Sequence, residues 1–279
     1  MGDFKAVNAS KIRVVALTDR TAAYLELFSA WVGTRRVRQI ADELEAFHRG
    51  TFRLPDKVLI VLFTARSGSN FLGQLLSSTG WFREIGESCR PSQLIKVRDR
   101  KGLADTHSAA QWMIDNRGTP AAFGMKAGAL VLIAAAHLGL LSEIEERVQF
   151  VHLRRRDRVA QAISMHKLRL GGRGHTRQSE ERVFSDGDYD AEAIAAEIAR
   201  IDVAESQFLS FLEFTGKSAT SLFYEDICAD PETHVAQICD RMNLQMPRHF
   251  EPNVRVGIMR DTVSRGWHDR FLEDCPECR

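Results

Sequence analysis

The chain has 279 residues, 44% hydrophobic and 27% charged, a composition that belongs to a folded globular protein and excludes disorder as its dominant state. Its 38 basic and 37 acidic side chains leave a formal net charge of +1. Capture of nucleic acid or a membrane surface by bulk charge is therefore excluded, and any anion site has to be built locally.

The start of the sequence, Met1-Gly2-Asp3-Phe4-Lys5, is polar where a secretory signal would carry an apolar core. The five cysteines are scattered and odd in number, which suits a reducing compartment better than a disulfide framework, so a cytoplasmic location is expected. Residues 1–55 read as an N-terminal helical extension. Val37, Ile40, Ala41, Leu44 and Phe47 recur there at helical spacing, and Gly50 is placed to stop the helix.

Residues 56–279 read as the main domain. The run Val58-Leu59-Ile60-Val61-Leu62-Phe63 suits a strand covered on both faces. It leads into the turn Thr64-Ala65-Arg66-Ser67-Gly68-Ser69 and then a helix that presents Phe71, Leu72, Leu75 and Leu76 on one face, with Gly80 closing it. Further strands are expected at 121–125, 148–153 and 221–224, separated by helix-length segments, and this alternation predicts an α/β fold with a parallel sheet flanked by helices. The apolar stretch 128–141 is too short to span a bilayer and contains His137, so it reads as a buried helix. Residues 169–189, Gly-rich and polar, read as a surface loop of the kind that often binds or covers a ligand. Cys275 and Cys278 form a C-x-x-C with no second ligand pair nearby, so a solvated tail is expected and no metal is assigned.

Two strand-to-helix junctions carry chemistry. In the first, Gly68 lets the turn aim successive backbone N–H groups at one point, and the helix that follows adds its positive N-terminus. Arg66 supplies a cation, and Ser67, Ser69 and Asn70 supply side-chain donors, so this junction is a phosphate cradle. In the second, the strand at 148–153 runs into Arg154-Arg155-Arg156-Asp157, with Asp157 expected as the N-cap of the next helix. Ser164 falls two turns further along the same face, where it and one of the arginines can grip a second phosphate. Ligands of open parallel sheets bind outside the carboxyl ends of the strands, so two such junctions imply a ligand with two separated phosphates.

On these residues the chain resembles sulfotransferases that use 3′-phosphoadenosine 5′-phosphosulfate (PAPS), in the form of the trehalose 2-sulfotransferase-like family. Residues 64–72 resemble the family's 5′-phosphosulfate loop. Leu153 to Asp157 with Gln161-Ala162-Ile163-Ser164 is similar to its 3′-phosphate segment. Gly124-Met125-Lys126, Tyr224-Glu225-Asp226 ahead of Pro231, and Asp261-Thr262-Val263-Ser264-Arg265-Gly266-Trp267 match in order, so the resemblance spans about residues 57–271.

The resemblance implies a fold related to P-loop kinases and transfer of a sulfuryl group to a hydroxyl of a carbohydrate or glycolipid. It implies a cofactor site at Arg66, Ser67, Gly68, Ser69, Asn70, Arg154, Arg155 and Ser164, with Asp261 and Ser264 ordering a C-terminal loop beside it. Arg66 and Lys126 would stabilise the leaving phosphate. A glutamate after the first helix would be the base, and ungapped counting places Glu87 there, with Glu84 as the near alternative. Ile85, Gly86, Ser88 and Cys89 stand where the family has a proline and aromatic residues. A homodimer is compatible with the resemblance, and no metal is implied.

Two other readings remain open at this point. A P-loop-like kinase would need the G-x-x-x-x-G-K-[ST] loop, and neither its first glycine nor its lysine is present. A non-catalytic nucleotide-binding module would keep the cradle and lack transfer chemistry.

Overall fold

The structure, a computed structural model, describes residues 19–44, 51–172, 182–255 and 261–276. The first residues of the chain, Phe47 and Gly50 of the expected helix, the centre of the 169–189 loop, and Cys278 lie outside the described residues.

Side chains of a strand alternate between its two faces, so the apolar run of β1 (Lys57–Phe63) has to be buried twice. Val58, Ile60 and Leu62 join one core, while Leu59, Val61 and Phe63 join another on the opposite face. The helix after β1 is α3 (Ser69–Ser77), which covers the second face with Leu72, Leu75 and Leu76. Next come α4 (Pro91–Lys101), begun by its proline, α5 (Thr106–Arg117), capped by Asp105, and β2 (Ala122–Ala127). Then follow α6 (Ala129–His137), α7 (Leu140–Ile144), β3 (Val148–Arg154) and α8 (Arg158–Arg169). The chain continues through α9 (Ala191–Thr215), β4 (Ala219–Phe223), α10 (Tyr224–Ala229), α11 (Pro231–Arg241) and α12 (Thr262–Asp274). Labels α1 and α2 belong to the helices Asp19–Val32 and Thr34–Leu44 that precede β1.

Among the described residues the sheet has four strands in the order β2-β1-β3-β4, all parallel. The chain is therefore α/β with a parallel sheet flanked by helices. All four expected strands are present, within two or three residues of the expected ends. Residues 128–141 form two helices rather than one: Gly139 at φ +78° turns the chain out of α6, where His137 Nε2 lies 3.0 Å from the Val37 carbonyl of α2.

Both N-terminal helices enter the first core. Tyr24 and Phe28 of α1 pack on Phe211 of α9, and Phe211 meets Phe150 of β3 edge to face at 5.6 Å. A third cluster joins α8, α9 and α12 around Trp267, which is 1% exposed and thus a core residue. Among the described residues no helix is long and apolar enough to cross a membrane.

Charge inside the α8/α9 contact is paired. Glu205 of α9, 5% exposed, accepts from Arg158 Nη1 at 2.6 Å and from Arg154 Nε at 3.0 Å. Burial opposes its ionisation most strongly, yet the bonds and charges of the two arginines hold its pKa below the ordinary carboxylate value.

Two stability tests follow from this packing. Phe211→Ala should cost about 3–5 kcal/mol, because it opens a cavity shared by α1, α9 and the sheet; denaturant unfolding measures it. Glu205→Gln should destabilise the protein at pH 7, and the gap to the native sequence should close as pH falls. With a depressed folded pKa, the pair's contribution is complete above the unfolded value of about 4.3 and is lost on acidification through the folded value. A gap unchanged down to pH 3 would contradict the ion-pair account.

Candidate active site

The order of the strands decides where the site lies. The connection leaving β1 goes to β2 on one side, whereas that leaving β3 goes to β4 on the other. Beyond the carboxyl ends of these two neighbours the chain therefore opens a crevice, the place where open parallel sheets hold ligands. The loop between β1 and α3 and the start of α8 both border it.

The β1–α3 loop is a tight turn, with the Ser67 N–H donating to the Thr64 carbonyl at 3.3 Å. Two of its residues have left-handed backbones, Arg66 at φ +65° and Gly68 at φ +88°. Arg66 holds this conformation with a side chain attached, at a cost on the order of 1–3 kcal/mol that the surroundings must offset. Gly68 is required twice over, since a Cβ there would also stand 2.1 Å from the Tyr224 ring. Gly68, at the N-cap of α3, has no side chain to cap the helix, whose N-terminus is the kind of end that favours an anion.

Residues from both junctions hold the loop. Gln161 of α8 donates through Nε2 to Thr64 Oγ1 and to the Ala65 carbonyl, both at 2.8 Å. Arg66 Nε donates to Ser164 Oγ at 2.7 Å, and Arg155 Nη1 donates to the Arg66 carbonyl at 3.2 Å. The Arg155 guanidinium lies 5.5 Å from the centre of the Tyr224 ring, a cation–π distance. Burial, and then the neighbouring Arg155, hold the Arg66 pKa below the usual arginine value.

Of the three consecutive arginines, only Arg155 reaches the loop. Side chains alternate as the strand ends, so Arg154 goes to Glu205 and Arg156 to Asp226, at 2.5 Å from Nη1. Ser164 meets an arginine as expected, but its partner is Arg66 rather than a member of the triplet. Asp157 caps α8 as expected, accepting from the Ala160 N–H at 2.8 Å.

Lys126, on β2, is 5% exposed and donates to Asn70 Oδ1 of α3. Burial pushes its pKa down, against the attraction of Glu87 and, more weakly, of Glu84. The segment bearing these carboxylates runs beside β2, where Gly86 pairs with Met125 and its carbonyl accepts from the Lys126 N–H at 2.8 Å. Glu84 is 3.1 Å from Arg117 with its side chain 60% exposed, while Glu87 is 28% exposed and 3.4 Å from Arg90. Glu87 thus follows directly on the residue bridged to β2 and pairs with Arg90, while Glu84 pairs with Arg117.

Asp261 caps α12 and, with Ser264, binds a buried cation that the sequence reading did not single out. Lys167 Nζ donates to Asp261 Oδ1 at 2.9 Å and to Ser264 Oγ at 2.7 Å, and it lies 5.1 Å from the rings of Phe184 and Trp267. Gln161, Ser164 and Lys167 follow one another at intervals of three along α8, a single stripe that touches the loop, Arg66 and α12 in turn. That spacing was the available signal.

The buried Arg155 and Lys126 and the half-buried Arg66 gather at the loop, and Ser67 Oγ, fully buried, has no hydrogen-bond partner among the described residues. A phosphate or sulfate would supply the negative charge and acceptor oxygens that this donor set favours. Among the described residues no group of three or more His, Cys, Asp or Glu is arranged to hold a metal.

A sulfotransferase domain from the Synechococcus PCC 7002 olefin synthase is similar at 15% identity and a TM-score of 0.45, over 81% of this chain and 90% of that one. No curated protein matches the sequence. The Stf0 sulphotransferase family model matches residues 132–274, from α6 through β3, α8, α9 and β4 to α12. That match covers half of the chain, including Arg155, Gln161, Ser164 and Lys167 of the crevice, and the chain belongs to the Stf0 sulphotransferase family.

Proposed function

We propose that the enzyme transfers a sulfuryl group from 3′-phosphoadenosine 5′-phosphosulfate to a hydroxyl of a carbohydrate or glycolipid. The observation that carries this reading is the joining of two anion junctions at one crevice, through Arg66 to Ser164 and Arg155 to the Arg66 carbonyl. The donor, when bound, supplies an activated sulfuryl group on a phosphate leaving group. The loop amides, Ser67, Ser69 and Asn70 hold its 5′ end, and Arg155 with Ser164 answers the 3′-phosphate. Arg154, committed to Glu205, has no part in this arrangement. Lys167 acts one turn further along α8, holding Asp261 and Ser264 at the rim.

In the reaction, Glu87 takes the proton of the acceptor hydroxyl as its oxygen bonds to sulfur. The bond from sulfur to the 5′-phosphate oxygen breaks, and Arg66 and Lys126 stabilise the charge that collects on that oxygen. Lys126 is suited to this because it is buried, where a fixed cation acts through a low dielectric. The bridge between Gly86 and Met125 of β2, each one residue before Glu87 and Lys126, supports this pairing of roles.

Thermal shift tests the donor. The product 3′,5′-adenosine bisphosphate should stabilise the protein without Mg²⁺, and stabilisation by ATP with Mg²⁺ alone would favour a kinase instead. Glu87→Gln should lower kcat by about 10²–10⁴-fold, the range of general-base catalysis, with bisphosphate binding retained. Unchanged turnover would move the base elsewhere. Gly68→Ala should abolish most bisphosphate binding, since the new Cβ meets the Tyr224 ring and disfavours φ +88°; calorimetric titration reads the loss.

A further inference from the structure

Beside Glu84, which forms part of its lining, α4 and α5 enclose a groove of about 240 Å³. Its walls follow from helical spacing. Gln93, Lys96, Val97, Arg100 and Lys101 form one face of α4, at steps of three, four, seven and eight residues. Trp112, Met113, Asn116 and Arg117 form the facing stripe of α5. The floor is apolar and the rim carries side-chain amides and cations.

The charge of this groove is one-sided. Four cations line it against one carboxylate, Glu84, which already pairs with Arg117. Lys96, Arg100 and Lys101 have no carboxylate partner among the described residues, and Lys101 lies 5.1 Å from the Trp112 ring centre. In a chain of net charge +1, where the other arginine clusters are met by Glu205, Glu197 or Asp226, such an excess is a local exception.

The groove also adjoins the proposed chemistry. Arg117, which closes one end, donates to Ser88 Oγ at 3.4 Å and would meet any side chain placed at Gly86. These residues flank Glu87, and the Gly86 carbonyl is held by Lys126. Chain continuity therefore links the groove to the proposed base and leaving-group cation.

We infer that the groove between α4 and α5 is an acceptor subsite for an acidic saccharide. It holds a carboxylate-, phosphate- or sulfate-bearing sugar unit on Lys96, Arg100 and Lys101 while the hydroxyl to be sulfated lies at Glu87. The inference rests on the sulfotransferase reading and adds the charge class of its acceptor. A volume below the roughly 300–1,000 Å³ of drug-sized pockets suits one sugar unit. Amides beside cations suit a ligand rich in hydroxyls that also carries negative charge.

The test uses the full chain with 3′,5′-adenosine bisphosphate present and titrates two probes by calorimetry. One is a disaccharide ending in glucuronate; the other is its neutral counterpart ending in glucose. The glucuronate probe should bind at least tenfold more tightly, with affinity falling as salt rises from 50 to 500 mM. The double variant K96E/R100E should remove that preference while leaving bisphosphate binding unchanged. No binding of the acidic probe, equal binding of both probes, or a preference that survives the double variant would overturn the inference. Binding of the bisphosphate alone reports separately on the donor reading, so the two failures are distinguishable. Because Lys96 and Arg100 are exposed, the variant leaves the core intact, and its unfolding midpoint confirms this.

Discussion

Three cations, the buried Arg155 and Lys126 and the half-buried Arg66, share one end of the sheet, and the rest of the site is arranged around keeping them there. Burying like charges together is unfavourable unless each is held by dipoles or by counter-charge. Here dipoles do much of the holding: Ser164 and the Arg66 carbonyl accept from the two arginines, and Asn70 accepts from the lysine. The carboxylates stand back, Glu225 3.9 Å from Arg155, with its oxygens turned to the Arg156 and Asp157 amides. An anionic ligand entering this place would meet cations already oriented by these bonds. The left-handed backbone at Arg66 belongs to the same arrangement, since it lets one residue give its side chain to α8 and its carbonyl to Arg155.

On the other side of β3 the opposite solution is used. Glu205 and Glu197 are buried carboxylates, and each takes two arginines, Arg154 with Arg158 and Arg169 with Arg200. Arg158 and Arg169 thereby pin α8 to α9, while Arg154 ties the end of β3 to the same helix. Because α8 also carries Gln161 and Ser164, its position fixes the loop as well. The near-neutral chain thus combines two arrangements, carboxylate pairs that position α8 and cations held at the loop by Ser164, Asn70 and a backbone carbonyl.

The sheet was legible in the sequence because each strand is an apolar run bounded by polar turns, and β1 in particular has nowhere to go but between two layers. Helix α1 was not singled out, since its buried positions, Thr21, Tyr24 and Phe28, are few and one is polar. The loop was legible because its residues are consecutive. Lys167 was not, because its partners Asp261 and Ser264 lie 94 and 97 positions away, and its spacing of three from Ser164 marks a shared helix face without naming a partner. The arginine triplet shows a different limit. Three adjacent arginines look equivalent in sequence, yet at the end of a strand alternate residues face opposite sides, and only Arg155 faces the crevice.

The same topology separates what must stay fixed from what can vary. Residues 64–121 cross from β1 to β2, far more chain than the dozen or so residues that a parallel connection requires. The excess includes α4, α5 and the Glu84–Ser88 segment, and all of it precedes the matched family region, which begins at residue 132. Substitutions on the outer faces of α4 and α5 leave the strand ends, the loop and α8 untouched. Under the proposed function, the donor is therefore held by the junctions of β1 and β3, which the sheet dictates. Acceptor choice falls to a crossover that the sheet constrains only at its two ends.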